Sequence, residues 1–91
     1  DLQRVATSGP FVRLLQRTRV LSVPDVRADS TLGEVGERLD ALGIRALLAT
    51  PVRAEGRLTH VLLIESAAVA EWSPEDVDIA LEIAEAASAS A

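Results

Sequence analysis

Two apolar runs joined by a turn, then a helix whose start is written into its residues, constrain this chain more than any other feature. Residues 46–66, ALLATPVRAEGRLTHVLLIES, read as a β-hairpin with arms at Ala46–Arg53 and Arg57–Ser66. Gly56 suits the left-handed position of a three-residue loop, Ala54-Glu55-Gly56. Pro51 cannot donate to a strand ladder, so its nitrogen is expected at an edge or a bulge. The unbroken apolar run Val61–Ile64 predicts a strand covered on both faces. The following segment, EWSPEDVDIALEIAEAA, predicts a helix from Pro74 to Ala87. Ser73 can cap it, Pro74 fits its first position, and Asp76 completes a Ser-x-x-Asp capping box. Trp72 and Val77 are spaced for a hydrophobic staple. The tail, residues 88–91, is expected to fray.

The upstream half is less regular. Residues 1–9 read as a lead-in. Phe11, Leu14 and Leu15 recur at helical spacing and predict a short helix from Pro10 to Arg17. Arg19–Val23 is a short β-prone run ended by Pro24. Asp25–Ser30 is a polar connection. Thr31 and Glu34 form a second capping box, and Leu32, Val35, Leu39 and Leu42 mark one face of the helix behind it. Gly43 stands where a C-terminal glycine would stop that helix, with Ile44 making the accompanying apolar contact. The order is α, β, α, β, β, α, with an antiparallel hairpin. This is an α+β fold: an antiparallel β-sheet flanked by helices.

Composition narrows the function. The 91 residues allow one domain, 1–91, and with 2% aromatic residues its core must be aliphatic. A net charge of −5 disfavours nucleic acid as a partner, since phosphate binding needs a basic surface. With no cysteine there is no disulfide, thiolate metal site or thiol nucleophile. No apolar run approaches the roughly 18 residues of a membrane helix, and the first residues lack a signal-peptide plan. A cytoplasmic protein with no membrane partner is the expectation. All nine basic residues are Arg, and with the abundant Ala this points to a bacterial genome rich in GC codons.

The pieces SGPFVRLLQRTRVLSVPDVRAD, GIRALLATPVRAEGRLTHVLLIES and EWSPEDVDIALEIA, in this order, resemble the later part of a GAF domain. The resemblance implies a profilin-like fold and a sensory or regulatory role in bacterial signal transduction. It also implies a small-molecule ligand, an output domain in the full-length protein, and relay through the C-terminal helix. The alternative within the same fold is a dimerisation scaffold without ligand. A complete member begins with a helix and two further strands, for which this chain has no room. The domain is therefore expected to be truncated or reduced, with an open sheet edge. An open apolar edge invites pairing, so a homodimer is expected through that edge or through helices. The Asn-Lys-x-Phe-Asp-Glu pattern of cyclic-nucleotide-binding members is absent, as are the bilin-attachment Cys of phytochromes and the thiols of the sulfoxide reductases. His60 stands where many members have a small residue. No cofactor can be named.

Candidate ligand residues follow. In the family the loop bearing Asp25 and Arg27 borders the pocket, and an Arg there could grip an anion with two hydrogen bonds. The bland reading of both is a solvated turn. Leu39 belongs to the helix that would lie over the pocket, whose two glycines fit a mobile lid, although any core-facing helix needs the same stripe. Ile44 and Leu62 would line the pocket. His60, the only histidine, is either a haem ligand, a pH sensor or an ordinary strand residue. It faces a pocket if it shares a sheet face with Leu58, Leu62 and Ile64. On the last helix, Val77, Ala80, Leu81, Ala84 and Ala87 form one stripe and Ile79, Ile83 and Ala86 another. One stripe can cover the sheet while the other meets a partner. The first is taken as the dimer interface. Its acidic residues have no His or Cys beside them, so no metal site is expected. A single strand histidine and no Gly-rich phosphate loop leave catalysis without support, and an enzyme is not expected.

Overall fold

The computed structural model describes residues 2–90, so Asp1 and Ala91 of the expected domain lie outside the described residues. The order is α1 (Leu2–Ala6), α2 (Gly9–Gln16), β1 (Leu21–Val23), a 3-10 turn (Ser30–Leu32), α3 (Glu34–Ala41), β2 (Ala46–Ala54), β3 (Arg57–Ser66) and α4 (Pro74–Ser90). The sheet is antiparallel with order β1-β2-β3, so the fold is α+β as expected.

The expected lead-in contains a helix. α1 sends Val5 into the core at 2% exposure, and the Ser8 backbone N–H and hydroxyl both donate to the Val5 carbonyl. Val5 and Ala6 are too short a stretch to show periodicity, and tertiary packing decides the outcome.

The helix expected from Thr31 is split. Asp29, not Thr31, caps the 3-10 turn, its carboxylate accepting from the Thr31 backbone N–H at 3.0 Å. Gly33, at φ 56°, then breaks the path before α3 begins at Glu34. The Thr31–Glu34 box therefore does not form. Leu42 lies past the end of α3 and is 42% exposed, outside the stripe of Leu32, Val35 and Leu39. The stop is as expected. The Ile44 N–H donates to the Leu39 carbonyl and the Gly43 N–H to the Asp40 carbonyl, a Schellman closure. α3 is also tightly seated. A Cβ added at Gly36 would come within 3.3 Å of the Val26 carbonyl oxygen. This glycine serves close packing.

The hairpin turns on two residues rather than three. Ala54 pairs with Arg57, and Glu55 and Gly56 both have positive φ, 54° and 77°. A tight two-residue hairpin loop of the mirror-image type requires this at both central positions. Pro51 meets its expectation. β1 pairs only with Leu47–Ala49, so at Pro51 strand β2 has β3 alone beside it, and a register shift follows between Val52 and Arg53.

The two-faced coverage expected of Val61–Ile64 falls on the other arm instead. β2 is the central strand and is buried from Ala46 to Val52, whereas Val61–Ile64 of β3 are only half-buried. Equal hydrophobicity does not determine which arm lies in the middle. The β1 pairing does, and it leaves β3 at the edge. On one face of β2, Leu47 and Ala49 join Val5, Phe11, Leu15, Val23, Leu32, Val35, Leu39 and Ile44 in the main core. α4 packs on β2 with Ala80 and Ala84 buried.

The start of α4 forms as written in the sequence. The Asp76 N–H donates to the Ser73 hydroxyl at 3.1 Å, and the Ser73 N–H to the Asp76 carboxylate at 2.9 Å. The helix runs past Ala87 to Ser90, where fraying was expected. The Ser88 hydroxyl donates to the Arg53 carbonyl, tying this end to the hairpin.

Candidate functional site

The charged residues expected beside a ligand, Asp25 and Arg27, each already hold an ion-pair partner. The Asp25 carboxylate accepts two hydrogen bonds from the Arg45 guanidinium, at 2.7 and 3.1 Å, in a part-buried pair. It also accepts from the Arg27 backbone N–H at 3.0 Å, closing a local turn. The Arg45 bond holds the Asp25 carboxyl below its ordinary value of 3.8, against partial desolvation, which pushes it up. The same bond raises Arg45. Arg27 points outward and pairs with Asp40 of α3 at 2.9 Å. These two pairs fasten the loop after β1 to the start of β2 and to α3.

Leu39 and Ile44, at 0% and 6% exposure, belong to the core. The expected pocket between the sheet and α3 is filled by Leu32, Val35 and Leu39 against Val23 and Leu47. Two open crevices of about 320 Å³ each remain near Asp25 and Arg27, one beside α3 bordered by Arg27, Asp29, Glu37 and Asp40, the other bordered by Pro24, Asp25, Ala28 and Ser30. Among the described residues no group of three or more His, Cys, Asp or Glu is placed to hold a metal ion.

A larger recess lies elsewhere, between the first two helices and β3. It has a volume near 600 Å³ and is lined by Ala6, Thr7, Val12, Leu58, Thr59, His60, Val61 and Leu63. Volumes of ~300–1,000 Å³ with apolar walls and a few polar groups suit small ligands. Its shape comes from the bulge in β3. Val52 pairs with His60 but Arg53 with Leu58, so Thr59 is an extra residue. The bulge breaks the alternation on which the grouping of Leu58 with His60, Leu62 and Ile64 rested. Leu58 instead lines the groove beside Val61 and Leu63. The Thr59 hydroxyl donates to the Val52 carbonyl at 3.1 Å and lies 3.2 Å from His60 Nδ1. His60 is exposed at the rim. Leu62, paired with Thr50, alternates away from Val61 and Leu63 and is not among the groove residues. Of the six expected ligand residues, only His60 lies on this groove. The sequence signal for the others was the odd-numbered register of Val61 and Leu63, but a bulge has no sequence mark of its own here.

On α4 the stripe expected to meet a partner is the one that packs on the sheet. Ala80 and Ala84 are buried beneath the helix, with Val77 and Leu81 half-buried, so that stripe is not free for a partner. Ala87 is exposed. The outward stripe holds Ile79 at 53% and Ile83 at 47% exposure, with Ala86. A smaller recess of about 170 Å³ lies where β1 ends, bordered by Arg19, Thr50, Arg53, Glu85 and Ser88. The Thr50 hydroxyl there is buried and has no hydrogen-bond partner.

Residues 1–90 match the family described as GAF domain, and the chain belongs to that family. Among solved structures it is similar to a domain described as part of a two-component sensor histidine kinase protein of Sinorhizobium meliloti 1021. The two share 25% identity with a TM-score of 0.70, over 80% of this chain and 50% of that one. The chain thus spans half the length of the relative it matches. No curated protein is detectably similar to it. No helix among the described residues is long and apolar enough to cross a membrane.

Proposed function

We propose that this is a sensory domain of a cytoplasmic bacterial signalling protein, which takes a small, largely apolar molecule in the α1/α2–β3 groove. The groove is the single observation that carries the reading. It is large enough, and its apolar floor of Leu58, Val61 and Leu63 is edged by the polar groups of Thr7, Thr59 and His60. Among the described residues that line it none is arginine or lysine, so the favoured ligand is neutral, with one hydrogen-bonding end. The role is noncatalytic. Ligand binding favours one arrangement of α1 and α2 against β3, and α4, on the other face of the same sheet, transmits the bias to an output domain. The family membership and the sensor-kinase assignment of its structural relative support a place in signal transduction.

Thermal-shift screening with small neutral molecules tests this. The reading expects a compound that raises the melting temperature of the chain but not of Leu63→Trp, whose indole would fill the groove. A compound that stabilises both equally binds elsewhere, and a screen without any stabilising compound overturns the ligand. The alternative, a scaffold without ligand, is favoured by the exposed Ile79 and Ile83 on α4.

A further inference from the structure

We propose that the recess where β1 parts from β2 is a site for a small monocarboxylate, separate from the groove beside β3. Its origin is local. β1 pairs with β2 only as far as Leu21 opposite Ala49. The same register carried further would set Val20 beside Thr50 and Arg19 beside Pro51. Pro51 has no N–H to give to β1. The Thr18 side chain also turns the chain aside, its hydroxyl donating to the Val20 carbonyl at 2.6 Å and accepting from the Val20 N–H at 3.2 Å. The gap that results, about 170 Å³, is walled by Leu81, Ala84, Glu85 and Ser88 of α4. None of the described residues lining it belongs to β3, so it does not depend on what lies beyond that strand.

The polar groups of the recess point to an anion. Thr50 is 2% exposed, and its hydroxyl has no hydrogen-bond partner. On β2 it alternates with Leu47 and Ala49, which face the main core, so its side chain lies on the α4 side with the recess. A buried hydroxyl costs stability unless something bonds to it, and a carboxylate oxygen can accept from it. Two guanidinium groups border the same space. Arg19 has no hydrogen-bond or ion-pair partner among the described residues. Arg53 uses one N–H on the Leu15 carbonyl at 3.2 Å, and a guanidinium carries five. Guanidinium and carboxylate match in two parallel hydrogen bonds. Glu85 selects among anions. Against two arginines it leaves the recess one net positive charge, which favours a singly charged carboxylate over a phosphate dianion. Pro51, Leu81 and Ala84 are apolar and suit a short alkyl chain. The volume is below the ~300 Å³ at which pockets for larger ligands begin, so the acid has few carbons. Binding clasps α4 to the sheet. The Ser88 hydroxyl already donates to the Arg53 carbonyl, and the ligand adds a second tie between the same helix and strand. Among the described residues the site shares none with the groove, so it stands or falls apart from the sensory reading.

Titration of the chain with sodium propionate at constant ionic strength, followed by amide NMR shifts, tests the site. Saturable shifts are expected at Thr50, Val52 and Arg53 and from Leu81 to Ser88, with none from propionamide at the same concentrations. Arg19→Gln, which breaks no bond within the described fold, is expected to weaken binding by about tenfold or more, the loss of one charged contact. Thr50→Val is expected to weaken it by about fivefold or more. That variant should also melt at a higher temperature, so its lost signal is not lost folding. Glu85→Gln is expected to tighten binding, and inorganic phosphate to bind the wild-type chain more weakly than propionate. Shifts that never saturate, an equal response to propionamide, or unchanged affinity in Arg19→Gln or Thr50→Val would each overturn the site. Tighter binding of phosphate, or weaker binding by Glu85→Gln, would overturn the monocarboxylate.

Discussion

The two margins of the sheet are built differently. At β1 the loose ends are tied from several directions. The Trp72 indole N–H donates to the Val23 carbonyl at 3.1 Å, the Ala70 N–H to the Pro24 carbonyl at 3.1 Å, and the Val26 N–H to the Arg45 carbonyl at 2.8 Å. The Asp25–Arg45 pair closes the corner. At β3 the edge is long, apolar and half-exposed, and a groove opens beside it. The first margin has its corner hydrogen-bonded and Val23 and Val26 buried, so it serves as the scaffold. The second leaves apolar surface uncovered, and such surface on a folded domain marks a place for a ligand or partner.

Substitutions of equal chemistry on the two sides should therefore differ in cost. Leu39→Ala, beneath the closed side, is expected to lose about 3 kcal/mol. Leu62→Ala, on the open edge, should lose about 1 kcal/mol. Urea unfolding of both variants, in dilute solution, checks the ratio, and equal losses would break the comparison. Trp72→Phe keeps the ring but removes the indole N–H, leaving the Val23 carbonyl without that donor. A loss of about 1–2 kcal/mol is expected by the same measurement. Thr50→Val sharpens the boundary where β1 gives out. The substitution removes a buried hydroxyl that has no partner, so a gain of about 1 kcal/mol is expected.

The smallest effect is the pH dependence of the corner. Asp25 is held below its ordinary value of 3.8 by Arg45. A depressed carboxyl contributes stability above its unfolded value, and the contribution fades as pH falls through the folded one. Melting temperatures of the chain and of Asp25→Asn should therefore converge below about pH 4 and separate above it. A gap that persists unchanged into acid would show that the pair does not set the difference.

How much of this was legible depended on how local each cause is. Ser73 and Asp76, three residues apart, need only each other to start α4. Gly43 and Ile44 need only the last turn of α3 to end it. The choice of Asp29 over Thr31 as cap was less visible, because Ser, Thr and Asp crowd that loop and packing of Leu32 and Gly36 against Val26 selects among them. The order of the hairpin arms in the sheet was not local at all. It is set by three residues of β1, about 25 positions upstream of their partners. Of the site, His60 was visible as an isolated titratable residue. The groove around it was not, because the bulge at Thr59 and the helix hidden in the first six residues make it together.

Residue-resolved hydrogen exchange tests the contrast between margins most directly. In dilute solution the amides of Leu47, Leu48 and Ala49, paired on both sides, should exchange only through global unfolding. Alternate amides from Val61 to Glu65 should exchange much faster. Uniform slow exchange along β3 in dilute solution, matching that of β2, would mean that its edge is already covered within one copy and would contradict the account.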